Sequence, residues 1–524
     1  MIPKPTILLI LDGWGIGSPS SGNAISEADP KFFNQLVQNF PTTLLQASGE
    51  AVGVSWGEMG NSEVGHLNIG AGKIVYQNLM RISKAIEDRS IFKNSALLDA
   101  FNHVKANNSK LHLIGLTSDG GVHSYLGHLY GLLEMASQQG VSNVFIHAIL
   151  DGRDTKYNEG ANFISRLTNR LNSVKIGKIA SVSGRFYAMD RDNHWERVEE
   201  AYNAIQGKAK KTFTDPLVAI EKSYDAEVYD EEFKPVTIVD ENNKPLAVVE
   251  EKDAVIFFNF RPDRARELTK AFVLPSFDKF QREYIKNLEF VTMTEYEKGL
   301  PVKIAFVREE IAHPLARVIS DRGLKQLHIA ETEKYAHITY FLNGGSEDPF
   351  PGEDNIIIPS PRVASYAEAP EMSAKLVTKR VIEEIMKDSY DFIAINFANA
   401  DMVGHTGDIE AAKKAVKAVD ASLKEIVELT LIKDGAVIIT ADHGNAENMI
   451  NERVGEIQKE HTNNPVPFVV VKKDFYGQKV GILNPVSGEL VAVRPSGVLA
   501  DIAPTILKMM GIAKPRDMQG ISLL

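Results

Sequence analysis

The sequence predicts an α/β protein in which parallel sheets are covered by helices and one domain interrupts another. Two observations predict the sheets. Apolar, β-rich runs alternate with longer helical patterns, as parallel strands joined by crossover helices require. Most of these runs end on a residue able to do chemistry, and open α/β sheets bind ligands outside the carboxyl ends of their strands. The third observation is positional. Chemically able Asp, Ser and His residues cluster toward the two ends of the chain, and arginines toward its middle.

Taken in order, the chain opens on Met1-Ile2-Pro3-Lys4-Pro5 and the apolar run Thr6–Leu11. That run is short for a signal-peptide core, has no small-residue cleavage site after it, and meets Asp12-Gly13-Trp14-Gly15 at once, so it reads as a buried strand. Gly60-Asn61-Ser62-Glu63-Val64-Gly65-His66 places a serine among small, turn-forming residues, which suits a nucleophile presented at a strand-to-helix turn. Further strands are expected over Leu111–Leu116, leading to Ser118–His123; over Val144–Leu150, ending at Asp151-Gly152-Arg153-Asp154; and over Lys178–Ser183, ending at Gly184-Arg185. Tyr224–Lys252 is acidic and turn-rich and is expected to be a surface excursion. Ala254–Phe260 should be a strand ending at Arg261-Pro262-Asp263-Arg264. Phe392–Phe397 leads to Asp401, and Ala436–Thr440 to Asp442-His443.

Composition narrows the function. The chain has 524 residues, room for two or more domains, and the apolar and charged fractions of an ordinary globular protein. A net charge of −11 without a lysine/arginine run argues against nucleic-acid binding. No apolar stretch approaches the ~20 residues that span a bilayer, so no membrane partner is expected. The absence of cysteine excludes disulfides, thiolate catalysis and cysteine-ligated zinc, and suits a reducing cytoplasm.

Asp401 and His405 are four residues apart and would face the same way on a helical turn. Asp442 and His443 are adjacent after a strand, so they could serve two ions, or one ion from a distorted turn. His461 lies in a loop with no packing pattern. With Asp12 and Ser62 these make seven candidate ligands, too many for one tetrahedral site and suited to two ions. Carboxylate and imidazole donors without sulfur suit divalent manganese, zinc, iron or cobalt. A metal-bound Ser62 would lose its proton more easily and become a nucleophile. If Asp12 and the late Asp/His pairs share one site, residues 1–76 and 309–524 form one domain and residues 77–308 a second, inserted one. Lys73–Asn78 and Glu297–Val302 are the candidate crossings.

The middle of the chain carries Arg153, Arg185, Arg191, Arg261 and Arg264, with His123 and Asp154. Guanidinium groups bind phosphate or carboxylate through two hydrogen bonds, so arginines near strand ends, together with Lys334, imply a small, strongly anionic substrate.

These motifs together resemble the cofactor-independent (2,3-bisphosphoglycerate-independent) phosphoglycerate mutases of the alkaline phosphatase superfamily. The resemblance runs from Leu11–Gly15 to Pro495–Leu524 and includes Gly60–His66, Ser118–Ser124, Asp151–Thr155, Gly184–Tyr187, Arg261–Arg264, Ala330–Tyr335, Asp401–Gly407, Ala441–Asn448 and His461–Phe468. It implies an alkaline-phosphatase-like three-layer domain with a second α/β domain inserted into it. It implies two manganese ions, one held by Asp401, His405 and His461, the other by Asp12, Ser62, Asp442 and His443. His123, Arg153, Asp154, Arg185, Arg191, Arg261, Arg264 and Lys334 would contact phosphoglycerate. The implied reaction interconverts 3- and 2-phosphoglycerate in glycolysis and gluconeogenesis through a phosphoserine on Ser62, with Asp154 as general base and Lys334 taking up charge beside the ions, in a monomeric cytoplasmic enzyme. A phosphomonoesterase, a phosphopentomutase-like enzyme and a non-catalytic scaffold are the rival readings.

Overall fold

The computed structural model describes residues 2–451, 454–481, 484–485 and 490–524. The chain divides into two compact units, residues 1–77 with 310–524, and residues 78–309.

The first unit is built on a nine-stranded sheet. Thr6–Leu11 is central, parallel to Phe392–Phe397 on one side and to Ala436–Thr440 on the other. Gln326–Glu331 and Glu353–Ile358 extend the sheet in parallel beyond Phe392–Phe397. On the opposite side Val466–Val471 runs antiparallel to Ala436–Thr440, and Pro41–Gln46 antiparallel to Val466–Val471. All six residues of Thr6–Leu11 are buried. Successive strand residues point to opposite faces, so both faces of the sheet are covered, which is why the run is apolar throughout rather than alternating. Helices supply the cover: Phe33 and Leu36 from Lys31–Asn39, Val377 and Val381 from Ala374–Lys387, Val416 and Leu423 from Ile409–Ile432, and Ile506 from Ile502–Met509 join the same core. This is a three-layer α/β arrangement.

The second unit has an eight-stranded sheet of its own. Leu111–Leu116 lies between Val144–Leu150 and Ala254–Phe257, all parallel, and Lys178–Gly184 follows Val144–Leu150. Its two cores divide by residue parity: Ala254 and Ile256 pack into one, Val255 and Phe257 into the other.

Three expectations change. The strand from Ala254 leaves the ladder after Phe257. Past that point the chain is tied by other bonds: the Asn259 side chain accepts from Leu116 N at 2.9 Å, and Phe260 N donates to His123 O at 2.8 Å. Tyr224–Lys252 is not only a surface excursion. It contributes the strand Val236–Ile238, antiparallel to Lys178–Gly184, and buries Phe233. Glu297–Val302 is not a crossing between units. It joins Glu289–Thr292 to Lys303–Ile304, which pair in the second sheet, and the chain passes to the first unit at 309/310.

Candidate functional site

In the first unit the ends of the central strands bring Asp12, Asp401, Asp442 and His443 together. Asp12 follows Thr6–Leu11 directly, and Asp442 lies two residues beyond Ala436–Thr440. Asp401 lies in the short helix Asn399–Gly404, and its backbone N–H donates to Asp12 O at 3.1 Å. Ser62 is the first residue of the helix Ser62–Ala71, whose N-cap, Asn61, accepts from Val64 N at 2.9 Å. The strand Pro41–Gln46 precedes this helix only at a distance, through a 3-10 turn and a loop. Ser62 therefore sits at a helix N-terminus, where free N–H groups and the helix dipole favour an anion. Gly65 allows this helix to approach the strand end, since a β-carbon there would lie 2.7 Å from Asp442 Cβ.

The serine hydroxyl is surrounded. Ser62 Oγ lies 3.2 Å from Asp12 Oδ1, 2.9 Å from His443 Nε2 and 2.7 Å from Lys334 Nζ. Lys334 also donates to Asp12 Oδ1 and Asp401 Oδ2, each at 2.7 Å. Burial opposes its charge, but Asp12, Asp401 and Asp442 outweigh burial and hold the ammonium above the ordinary lysine value. Asp401 and Asp442 are held below the usual carboxylate range despite burial, Asp401 chiefly by Lys334 and Asp442 chiefly by His443. Asp12 is pushed up by burial and by the Asp442 charge.

A second convergence lies beside the first. His405 Nε2 and His461 Nε2 are 3.1 Å apart, and 3.2 and 3.3 Å from Asp401 Oδ1. Each ring spends its other nitrogen on a backbone carbonyl, His405 Nδ1 on Lys459 O at 2.6 Å and His461 Nδ1 on Gly60 O at 3.0 Å. Three electron-rich atoms facing one another at this distance require a proton or a cation among them. Asp401 correspondingly draws both imidazoles above their ordinary pKa. Asp442 Oδ2 is buried and accepts no hydrogen bond among the described residues; His66 Nδ1, which donates to Ser62 O, lies 3.2 Å from it and His443 Nε2 3.5 Å. An orphaned buried carboxylate oxygen beside an imidazole, with no sulfur in the set, fits a divalent cation.

Sequence reasoning missed the residues that orient these groups. Asn396 donates to Asp12 Oδ2 at 2.8 Å and to His66 Nε2 at 3.0 Å, and the other nitrogen of His66 donates to Ser62 O at 2.8 Å. Asn445 Nδ2 donates to Asp401 Oδ1 at 2.9 Å. His66 lies inside a quoted motif, but nothing in its spacing shows what it faces.

The arginine cluster belongs to the second unit. Arg185 is buried, and its Nη1 donates to Asp151 Oδ1 and Asp154 Oδ2, each at 2.6 Å. Asp151 also accepts from Ser118 Oγ at 2.6 Å and from Asp154 N at 2.9 Å. Arg191 and Arg261 share Asp263, at 3.1 and 3.0 Å. Arg153 lies 3.5 Å from Glu231, and Arg264 donates to Met189 O at 3.1 Å. Burial first, then Arg191, Arg185 and Arg153, depress the Arg264 guanidinium, so these four arginines share one field. His123 is buried with Nδ1 unbonded, and burial together with Arg185 lowers it to about 4, so it is neutral at pH 7. The structure thus gathers His123, Arg153, Asp154, Arg185, Arg191, Arg261 and Arg264 in one unit. Lys334, named with the arginines as a substrate contact and expected to take up charge with the ions, lies at Ser62 in the first unit.

The family described as the BPG-independent PGAM N-terminus matches residues 82–298, and type I phosphodiesterase / nucleotide pyrophosphatase matches residues 327–503. The 2,3-bisphosphoglycerate-independent phosphoglycerate mutase of Clostridium acetobutylicum is 51% identical, with 100% of both chains covered. That of Cyanothece sp. is 48% identical over 99% of this chain and 96% of its own. The crystal structure of Leishmania mexicana phosphoglycerate mutase at low cobalt concentration is 31% identical, with a TM-score of 0.58, covering 99% of this chain and 97% of that one. Fold and site together define a divalent-metal-binding phosphotransfer enzyme of the alkaline phosphatase superfamily. Within that class, the chain belongs to the 2,3-bisphosphoglycerate-independent phosphoglycerate mutases.

Proposed function

We propose that this chain interconverts 3-phosphoglycerate and 2-phosphoglycerate without bisphosphoglycerate, through a phosphoserine on Ser62. The observation that carries the reading is the Ser62 hydroxyl within 3.2 Å of a carboxylate, an imidazole and an ammonium at the head of a helix. The first unit is the phosphatase-like domain, and residues 78–309 are the inserted domain that holds the glycerate.

Asp401, His405 and His461 would hold one divalent ion, and Asp12, Ser62, Asp442 and His443 another, with manganese the expected metal. Bound ions would acidify the serine hydroxyl and neutralise phosphoryl oxygens. Lys334, 2.7 Å from Ser62 Oγ, stabilises the oxyanion there whenever it forms. Ser62 Oγ passes its proton to Asp12 Oδ1, 3.2 Å away, which returns it when the serine is released, and attacks phosphorus in line while the bond from phosphorus to the 3-oxygen breaks. That oxygen takes a proton from Asp154. The glycerate stays bound through the arginines and turns. Asp154 then removes the proton of the 2-hydroxyl, which attacks the phosphoserine, and Ser62 is released and reprotonated. No water is consumed, so the reaction is an isomerisation. Neutral His123 donates a hydrogen bond to phosphate without adding charge.

A monomer is the expected active form. No helix among the described residues is long and apolar enough to cross a membrane, and the lack of cysteine suits a cytoplasmic setting. Incubation with 3-phosphoglycerate labelled on phosphorus tests the central step. Label should appear in the protein on Ser62 and vanish in Ser62→Ala. Label retained in Ser62→Ala would place the nucleophile elsewhere.

A further inference from the structure

Glu447 ties together the segments that carry the metal set. It lies five residues after Asp442, on the loop beyond Ala436–Thr440, and is 3% exposed. Its Oε2 accepts from Gly15 N at 3.1 Å and Asn445 N at 2.8 Å. Its Oε1 accepts from Asn464 Nδ2 at 3.0 Å and from Thr462 Oγ1. Each carboxylate oxygen thus accepts two hydrogen bonds, which leaves Glu447 no capacity to be a ligand itself.

The donors come from different segments. Gly15 stands three residues after Asp12, Asn445 two after His443, and Thr462 next to His461. Asn445 extends the reach to a fourth segment, because its side chain donates to Asp401 Oδ1 at 2.9 Å. The backbone is also shaped around this carboxylate. A β-carbon at Gly15 would lie 2.3 Å from Glu447 Cδ, and one at Gly444 2.4 Å from Glu447 Oε1, so both positions need glycine for the acid to fit.

We propose that Glu447 is a positioning residue whose buried carboxylate sets the spacing of the Asp12, Asp401, Asp442–His443 and His461 segments, and through it the affinity for divalent ions. This rests on the ligand assignment proposed above. A glutamine at 447 offers one acceptor oxygen and an amide that faces donors, so two of the four bonds are lost or reversed. Residues that orient metal ligands from behind typically change metal affinity 10- to 100-fold when altered.

The test is calorimetric titration of Mn²⁺ into the metal-stripped full chain, with wild type, Glu447→Gln, Asn464→Ala and His461→Ala side by side. Melting of each metal-free protein is recorded in parallel. Glu447→Gln should weaken Mn²⁺ binding about 10- to 100-fold, and Asn464→Ala, which removes one donor, by a smaller factor. Metal-free melting should change little for Asn464→Ala, and turnover should return at saturating Mn²⁺. Mn²⁺ affinity unchanged in Glu447→Gln, or in Asn464→Ala should the first variant not fold, overturns the proposal. A fall in melting temperature with unchanged affinity also overturns it, since that marks a purely structural role. Wild-type affinity in His461→Ala would instead overturn the ligand assignment, and this proposal with it.

Discussion

Arg185 illustrates how much the chemistry depends on single side chains. Its guanidinium is buried and shared between Asp151 and Asp154, both at 2.6 Å. Both bonds come from Nη1, so a lysine nitrogen could keep the two carboxylates but would lose the other N–H groups of the guanidinium fork that an anion can use. Arg185→Lys should therefore lower kcat/KM by about 10- to 100-fold, the equivalent of one charge-assisted hydrogen bond, as steady-state kinetics would show. Unchanged kinetics would mean that Arg185 only balances the two carboxylates. Asp230 gives a prediction in pH. Burial raises its carboxyl from 3.8 to about 6, against hydrogen bonds from Tyr224 and Gly160. An acid with a raised folded-state pKa favours folding below its unfolded value and loses that contribution as pH climbs to the folded value. Asp230 should thus erode stability between about pH 4 and pH 6. Denaturant melts of Asp230→Asn should show a flatter profile across that window than wild type, and an identical slope would refute the assignment.

Elements place these residues, and here the sequence was legible in part. Asp12, Asp401, Asp442 and His443 could be found because each follows a buried apolar strand, a local pattern with a topological meaning. Glu447, Asn396 and His66 could not, because the contacts that tie them to the site, Gly15 for Glu447, Asp12 for Asn396 and Asn396 for His66, cross hundreds of residues and no spacing encodes them. The sequence overextends the strand from Ala254 because Phe258 and Phe260 are as apolar as the ladder residues; Phe258 N still donates to Ile114 O, and the departure comes with Asn259, which accepts from Leu116 N, and Phe260, which donates to His123 O. Lys334 is legible as an anion-binding cation, but its contacts with Ser62, Asp12 and Asp401 are not, because they join segments hundreds of residues apart or on a different strand end. The helix behind Ser62 offers a check on element placement. Asn61→Ala removes the cap on Val64 N and should cost about 1 kcal/mol in denaturant melts. It should also lower kcat by loosening the first turn. A stability loss with kcat unchanged would mean that Ser62 is held by its other partners.

At the scale of the whole molecule, one chain carries two large sheets, and the cores packed on each are made of residues from their own unit. Residues 78–309 are continuous, and their eight-stranded sheet is packed on both faces within the segment. Expressed alone, this segment should fold and melt cooperatively by circular dichroism. A non-cooperative melt would show that its stability depends on the rest of the chain. The division also has a chemical meaning. On the proposed reading the first unit carries the nucleophile and the candidate metal ligands, and the second carries guanidinium groups for an organic anion. A phosphatase needs the first alone, whereas a mutase must also retain its glycerate.

The measurement that tests this most directly is a metal-stripped sample given 3-phosphoglycerate with and without Mn²⁺, in the absence of bisphosphoglycerate. 2-Phosphoglycerate and free phosphate are followed together, with Ser62→Ala beside the wild type. The account predicts 2-phosphoglycerate with little free phosphate, dependent on both Mn²⁺ and Ser62. Mostly free phosphate would contradict it, as the mark of a phosphatase that shares the serine site but does not hold its glycerate.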